Sequence, residues 1–411
     1  MRQIKKTKEF LDLIDFVIGL DKLGNTPYFT QGIVKKIKSH LENKQVTVSE
    51  DEFALYAKVG NPSKPLVIID THLDHPGFVI VQDNTVHSLG SFLNSKMINK
   101  INFPDKLPVG FYTSAGHFIT SGFLYKITTS GNQIKAFYQT DQNLTLPANT
   151  QVMPIFQTGL SKDILSLRSV DNLATVMVCL MLIDKLKNRK DINLTIVFSK
   201  LEEIYQLTAT GLSKRGSTPF EKIHPHTPTI VLEVAPVLTN KEAQNGDLAV
   251  ATKENIFTTQ DGKSKIFSHL KVACEESLVK LHYSTLNSHG DSISFRLVGG
   301  NTETICLHAG SFNRHNIDEN GQFTAEFVYL KSLKNLVKVS TKLIEKISLD
   351  YPVPSSPVKL TPEESKKRKQ LISAYTRAYP RLKFQKLYPK SILEFLYFAF
   401  FTLLAKFYST K

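Results

Sequence analysis

Two adjacent carboxylates, Glu202 and Glu203, follow closely on an apolar, β-branched run at residues 194–198. A buried strand that leads into paired acids puts them at the carboxyl edge of a sheet, where open α/β sheets bind their ligands. Neighbouring residues on an extended chain point to different sides, so one carboxylate can hold a cation while the other handles a proton. The same placement recurs along the chain. His72 and Asp74 follow the apolar run 66–69, Glu233 ends the run 229–232, and His308 and His315 follow the run 304–307. Asp171 opens a long apolar helix. In a doubly wound sheet all these edges face one crevice.

Carboxylates and imidazoles crowded into a crevice repel or stay desolvated unless positive charge joins them. Divalent cations supply it, and mixed His/Asp/Glu ligation suits zinc first, with cobalt or manganese as alternatives. One aspartate bridging two metals about 3.5–4 Å apart is how such hydrolytic sites hold and split water, and a Glu beside a ligand Glu is the natural base. Singly, each residue has a plainer use. His72 suits a buried core position, Asp171 a helix N-cap, Glu233 a buried salt bridge, and the Glu pair a solvated helix start. Their order and common strand-end placement argue for one site.

The elements that must position these groups are legible in the apolar periodicity. Residues 4–20 and 30–42 carry helical spacing, with Leu11, Ile14 and Ile18, then Ile33, Ile37 and Leu41. Strand-like runs follow at 45–48, 53–59 and 66–69, the last a continuous apolar segment of the kind buried on both faces of a parallel sheet. From about residue 79 to 165 short alternating runs such as 123–127 and 134–138 are separated by Gly and Ser turns, the pattern of a small antiparallel barrel or sandwich. The helix and parallel-strand pattern resumes at 170–186, 194–198, 229–234 and 304–307. The parse is an α/β domain from 1–78 and 166–350, an inserted β domain at 79–165, and a Pro-containing linker with a basic, aromatic tail at 351–411.

At 411 residues, 41% hydrophobic and 21% charged, the chain is globular and long enough for two domains. Cys179, Cys274 and Cys306 are too few and too scattered for a disulfide framework or a thiolate zinc site, which points to reduced thiols and a cytoplasmic location. The N-terminal apolar stretch is broken by Asp12 and Asp15 and reads as an amphipathic helix, not a signal peptide. No uninterrupted apolar stretch of about 20 residues suggests a membrane span. The net charge of +14 is concentrated in the tail, where twelve Lys/Arg from Lys359 onward face three Glu, so specific nucleic-acid binding is not expected of the body. The aromatic run 392–405 is read as a helix docked on the body or on a second subunit, with a peripheral membrane-surface anchor as the alternative.

With these residues in hand, the chain resembles the co-catalytic metallo-aminopeptidases of the tetrahedral (glutamyl/deblocking) type. In that family a strand leads into His-x-Asp-x-x-Gly-Phe, matched here by His72, Asp74, Gly77 and Phe78. A β domain is then inserted before a bridging aspartate at a helix start, as Asp171 stands here. The Glu pair after a strand matches Glu202 and Glu203, the carboxylate-Val pair matches Glu233-Val234, and the late His matches His315, with His308 as the fallback. The resemblance covers roughly residues 5–345, motif by motif. Three positions depart from it: His75-Pro76 follows Asp74 where an acid is usual, Ile204-Tyr205 follows the Glu pair where Val-Gly is usual, and Glu233 replaces the usual Asp.

The resemblance implies a doubly wound, mixed α/β sheet of the zinc-aminopeptidase type, interrupted by a small inserted β domain. It implies two divalent metal ions bridged by Asp171, with His72 and Glu233 on one and Glu203 and His315 on the other. Glu202 would be the catalytic base, Asp74 would orient His72, and Asp291 would shape the pocket. The expected reaction is amide hydrolysis by an aminopeptidase acting on peptides, in a homo-oligomer whose size the departing tail leaves open. A deacylase of N-acyl amino acids is the near alternative, and a non-catalytic scaffold with the same fold is the reading from another class.

Overall fold

The structure is a computed structural model and describes residues 7–51, 53–82, 84–90, 101–130, 133–204, 226–254, 257–258, 264–286, 290–297, 301–353 and 362. The tail reading at 354–411 lies, Pro362 apart, outside the described residues. The chain starts with α1 (Lys8–Asp21) and α2 (Gln31–Asn43), followed by β1 (Thr47–Glu50), β2 (Ala54–Gly60) and β3 (Leu66–His72). Thr7 caps α1, its side chain accepting the Phe10 N–H at 3.3 Å. The face that α1 buries is Phe10, Leu13, Ile14, Val17 and Leu20, so Leu11, expected in the stripe, lies instead toward solvent.

Six strands come next: β4 (Gly77–Gln82), β5 (Thr85–Leu89), β6 (Lys106–Tyr112), β7 (Phe118–Ser130), β8 (Gln133–Thr140) and β9 (Gln151–Pro154). They close into a barrel in the order β4-β5-β8-β7-β6-β9. Its interior holds Phe78, Phe111, Leu124, Tyr138 and Val152, the inward half of each alternating run. Gln151 ties it to the body by accepting from the Thr26 N–H at 3.0 Å, and within the barrel it donates to the Thr113 carbonyl at 2.8 Å. Gly77 lies where a Cβ would come within 2.3 Å of Thr26 Cγ2, so the contact requires glycine.

The chain returns through β10 (Gly159–Ser161), β11 (Ile164–Leu167) and α3 (Val170–Leu186), then β12 (Asn193–Ser199) and β13 (Thr229–Ala235). The hairpin of β10 and β11 pairs with the main sheet and not with the barrel. The remaining elements are α4 (Asn240–Asn245), β14 (Leu248–Glu254), β15 (Phe257–Thr258), α5 (Lys265–Glu276), β16 (Leu281–Leu286), α6 (Asp291–Leu297), β17 (Thr304–Phe312), β18 (Glu326–Tyr329) and α7 (Leu330–Asp350).

The expected mixed sheet is present, running β1-β2-β12-β3-β13-β17-β18-β11-β10 with β14 and β16 branching from β17. Its centre, β12-β3-β13-β17, is parallel, and β2, β14 and β18 flank it antiparallel. One face packs against α1, α3 and α7 through Val67, Ile69, Leu194, Ile196, Leu232 and Leu307. The opposite face buries Ile68, Val197, Val231 and Cys306 with Phe295 of α6. Because both faces are covered, these strands read as unbroken apolar runs. Helix α3 is buried nearly all round, which explains its apolar sequence. Cys179, Cys274 and Cys306 are free and buried. Among the described residues no helix is long and apolar enough to cross a membrane.

Candidate metal centre

Parallel strands ending level bring distant residues to one edge. His72 closes β3 and pairs in register with Ser199, the last residue of β12, so the chain beyond Ser199 passes over the end of β3. There Glu202–Ile204 form one 3-10 turn. Its N–H groups meet a carboxylate: Asp74 Oδ1 accepts from Glu202 at 3.1 Å and Oδ2 from Glu203 at 3.0 Å. Asp74 thus fixes the Glu pair through its side chain. His72 is held through the Asp74 main chain, with Nδ1 at 3.0 Å from the carbonyl oxygen and 3.7 Å from Oδ1.

Asp171 sits in the first turn of α3 but outside helical geometry, at φ −82° and ψ 99°, and the Asp171–Asn172 peptide is cis. Ser169, not Asp171, stands at the N-cap, so the capping role open to Asp171 is not the one it takes. Its Oδ1 lies 3.1 Å from His72 Nε2, and Oδ2 lies 3.6 Å from His315 Nε2. Glu233 Oε2 completes one group at 3.5 Å from His72 Nε2, and Glu203 Oε1 completes the other at 3.1 Å from His315 Nε2. The ligand atoms of His72, Asp171 and Glu233 lie within 4.8 Å of one another, as do those of Asp171, Glu203 and His315. His72, Glu202 and Glu203 form a third such group. Asp171 is common to the first two.

His315 reaches the cluster from a tight turn in which Asn313, His315 and Asn316 have φ of 61°, 56° and 64°. Left-handed backbone is costly for residues with a Cβ and persists where surrounding contacts hold it. Those contacts are specific. Glu326 accepts the His315 N–H at 2.5 Å, Asn313 Nδ2 donates to Ala325 at 2.8 Å, and Asn316 Nδ2 donates to Arg168 at 2.7 Å. His308 behaves differently. Strand β17 continues to Phe312, so His308 lies mid-strand, in register with Glu233, and joins neither group. Asp291 is buried, joins neither group, and accepts from Ser199 Oγ, on the last residue of β12, at 2.7 Å.

Four contributors were not foreseen. Arg314 Nε lies 3.1 Å from Asp171 Oδ2. Glu326 Oε2 accepts the Asp171 N–H at 2.8 Å. His75 Nδ1 lies 2.6 Å from the Asp171 carbonyl, and its Nε2 lies 3.2 Å from Asn316 Oδ1. The departing His75 therefore braces the backbone of the shared aspartate. Arg314 and Asn316 flank a candidate ligand in sequence, the one local signal available. Glu326 has none.

The electrostatics are those of a crowded acidic pocket. Asp74 and Asp171 are 0% and 1% exposed, and even Glu202 and Glu233 are only 7% exposed. Burial drives Glu202 well above the ordinary carboxylate range, reinforced by Glu203 and Glu233, and lifts Glu233 and Asp74 each to about 7. Burial opposes charge on His72 and His315, yet the facing carboxylates win. Glu233 and Asp171 lift His72 well above its usual value, and Glu203 and Asp171 lift His315 to about 10. Burial pushes Asp171 upward, but His315, His72 and Arg314 hold it well below the usual range.

These donors fit divalent cations. Carboxylate oxygens and imidazole nitrogens from several elements converge on two adjoining groups, and Glu233 Oε1 is buried without a hydrogen-bond partner among the described residues. The arrangement can hold one or two cations, with Glu202 beside them as a proton acceptor.

No family model matches the sequence, and no curated protein matches it. Solved structures do. The TET aminopeptidase of a marine sediment Thaumarchaeota archaeon superposes with a TM-score of 0.63 at 12% identity, over 84% of this chain and 98% of that one. The aminopeptidase APDkam598 of Desulfurococcus kamchatkensis gives 0.63 at 13% identity, over 85% and 99%. The TET1 peptidase of Pyrococcus horikoshii, described as assembling into a tetrahedron or a large octahedral shell, gives 0.58 at 13% identity, over 81% and 99%. The chain has the fold of the tetrahedral aminopeptidases, as its motifs imply.

Proposed function

We propose that the chain is a metal-dependent hydrolase of amide bonds, an aminopeptidase releasing N-terminal residues from peptides. The observation that carries this reading is the pair of buried ligand groups sharing Asp171, with Glu202 alongside. His72 and Glu233 would hold one divalent cation with Asp171, and Glu203 and His315 the other. Zinc suits the donors best, and cobalt or manganese are compatible. Bound cations supply Lewis acidity toward the scissile carbonyl and the attacking water. Glu202 takes a proton from that water and returns it to the leaving amine nitrogen. Burial, with Glu203 and Glu233 beside it, raises the affinity of this carboxylate for that proton. Asp74 keeps the Glu pair in place through both backbone N–H groups.

The assemblies described for the Pyrococcus TET1 peptidase support a homo-oligomer here. Three buried, free cysteines support a reducing compartment such as the cytoplasm. A deacylase of N-acyl amino acids would use the same centre, and a non-catalytic scaffold would have no reason to keep both ligand groups.

The first test is the metal content of the purified protein by mass spectrometry, beside Asp171→Ala. About two equivalents of zinc, cobalt or manganese, lost in the variant, are expected for a bridged site. Peptide libraries screened against N-acyl amino acids then separate peptidase from deacylase. A wild-type protein that binds no metal even after reconstitution would overturn the chemistry.

A further inference from the structure

The two ligand groups are alike in donor chemistry and unlike in what surrounds them. Asp171 Oδ1 faces His72 and the group completed by Glu233. Asp171 Oδ2, on the side of Glu203 and His315, already carries a cation: Arg314 Nε at 3.1 Å. A guanidinium is charged at every accessible pH, and an oxygen that it occupies is a poorer donor to a metal. A divalent ion held by Glu203 and His315 would lie within a few ångströms of that charge, in a pocket where water screens weakly.

The placement of Arg314 is set by the backbone. Asn313 and His315, on either side of it, are in left-handed conformation, and side-chain hydrogen bonds from Asn313, Glu326 and Asn316 pin the turn. The Arg314 side chain is 27% exposed, whereas that of Asp171 is 1% exposed.

We propose that Arg314 is a resident cation that competes for the second metal subsite, making the ion at Asp171, Glu203 and His315 the weaker and more exchangeable of the two. This rests on the metal-dependent reading above. The group of His72, Asp171 and Glu233 fills first. The second group fills against the Arg314 charge, so occupancy of the full centre follows the free metal concentration.

The experiment is a zinc titration of the metal-free, full-length protein against a chromophoric chelator, which yields both dissociation constants without reference to activity. Wild type is expected to show constants separated by about 100-fold or more. Arg314→Met should tighten the second by at least about 10-fold and leave the first within about 3-fold, as expected for removal of one nearby positive charge. Arg314→Lys, which keeps the charge, should stay close to wild type. Arg314→Gln serves the same comparison should the Met variant fail to fold. Equal constants in wild type, or a second constant that neither neutral variant moves, would overturn the proposal while leaving the metal centre intact. Zinc bound by no protein of the series would instead remove the metal reading itself, and this proposal with it.

Discussion

Glu326 Oε2 accepts the backbone N–H of Asp171 at 2.8 Å, across 155 residues of sequence. The other oxygen of the same carboxylate takes the His315 N–H at 2.5 Å. One buried side chain on β18 thus sets the main-chain positions of the shared aspartate and of a ligand in the second group. Glu326→Gln turns one of these acceptors into an NH₂ facing an N–H donor. Zinc affinity is expected to fall by about 10- to 100-fold, the usual cost of losing an outer contact that orients a ligand. A chelator-competition titration measures it, and an unchanged affinity would show that Glu326 does not hold the ligands in place.

Glu202 and Glu203 are neighbours with different tasks. Burial and the adjacent carboxylates raise the proton affinity of Glu202, whereas against the same burial His315 holds Glu203 below its usual range. Glu202→Gln keeps the shape and removes the base. Hydrolysis should drop by about 10²- to 10⁴-fold with metal content unchanged. Glu203→Gln should lose metal as well as activity. Hydrolysis that survives in the Glu202 variant would assign the base elsewhere.

The site was legible wherever chemistry follows an apolar run in sequence. His72 and the Glu pair stand at or just past the end of a buried strand and Glu233 stands two residues before the end of β13, and parallel register then brings them together. Sequence could not separate His308 from His315, because the length of β17 depends on its pairing with β14 and β18. Arg314, Glu326 and His75 were missed for a different reason. They act on Asp171 from 143, 155 and 96 residues away, and apart from Arg314's place beside His315 no local pattern points to such a contact. Asp171 itself was found for its position but not for its geometry, since its helix starts irregularly around it.

The join between barrel and body should be sensitive to a single methyl group. A Cβ at Gly77 would lie 2.3 Å from Thr26 Cγ2, at the start of β4. Gly77→Ala is expected to cost about 1–3 kcal/mol, the range for overpacking a tight contact. Thr26→Ser removes Cγ2 and keeps the hydroxyl that bonds Gln151 at 2.9 Å. The double variant should therefore recover part of the loss, a coupling that urea unfolding of all four proteins measures. Strictly additive losses would locate the strain elsewhere, for example at the Val152 carbonyl, 3.3 Å away.

Acid should unfold the metal-free protein partly through His308. Burial, aided by the Arg314 charge and opposed by Asp171, pushes this imidazole from its ordinary 6.5 down to about 3. Between these values the unfolded chain binds a proton that the folded chain refuses, so stability rises with pH across the window and falls on acidification through it. One such group contributes a slope of about 1.4 kcal/mol per pH unit. Denaturant unfolding in the presence of a chelator, at intervals from pH 7 to 4, should show a steeper acid loss in wild type than in His308→Gln. Arg314→Met removes the repelling charge, raises the His308 value and shortens the window from its acid end. If wild type and His308→Gln lose stability in parallel, the buried imidazole is already neutral in cost and the acid sensitivity belongs to the carboxylates.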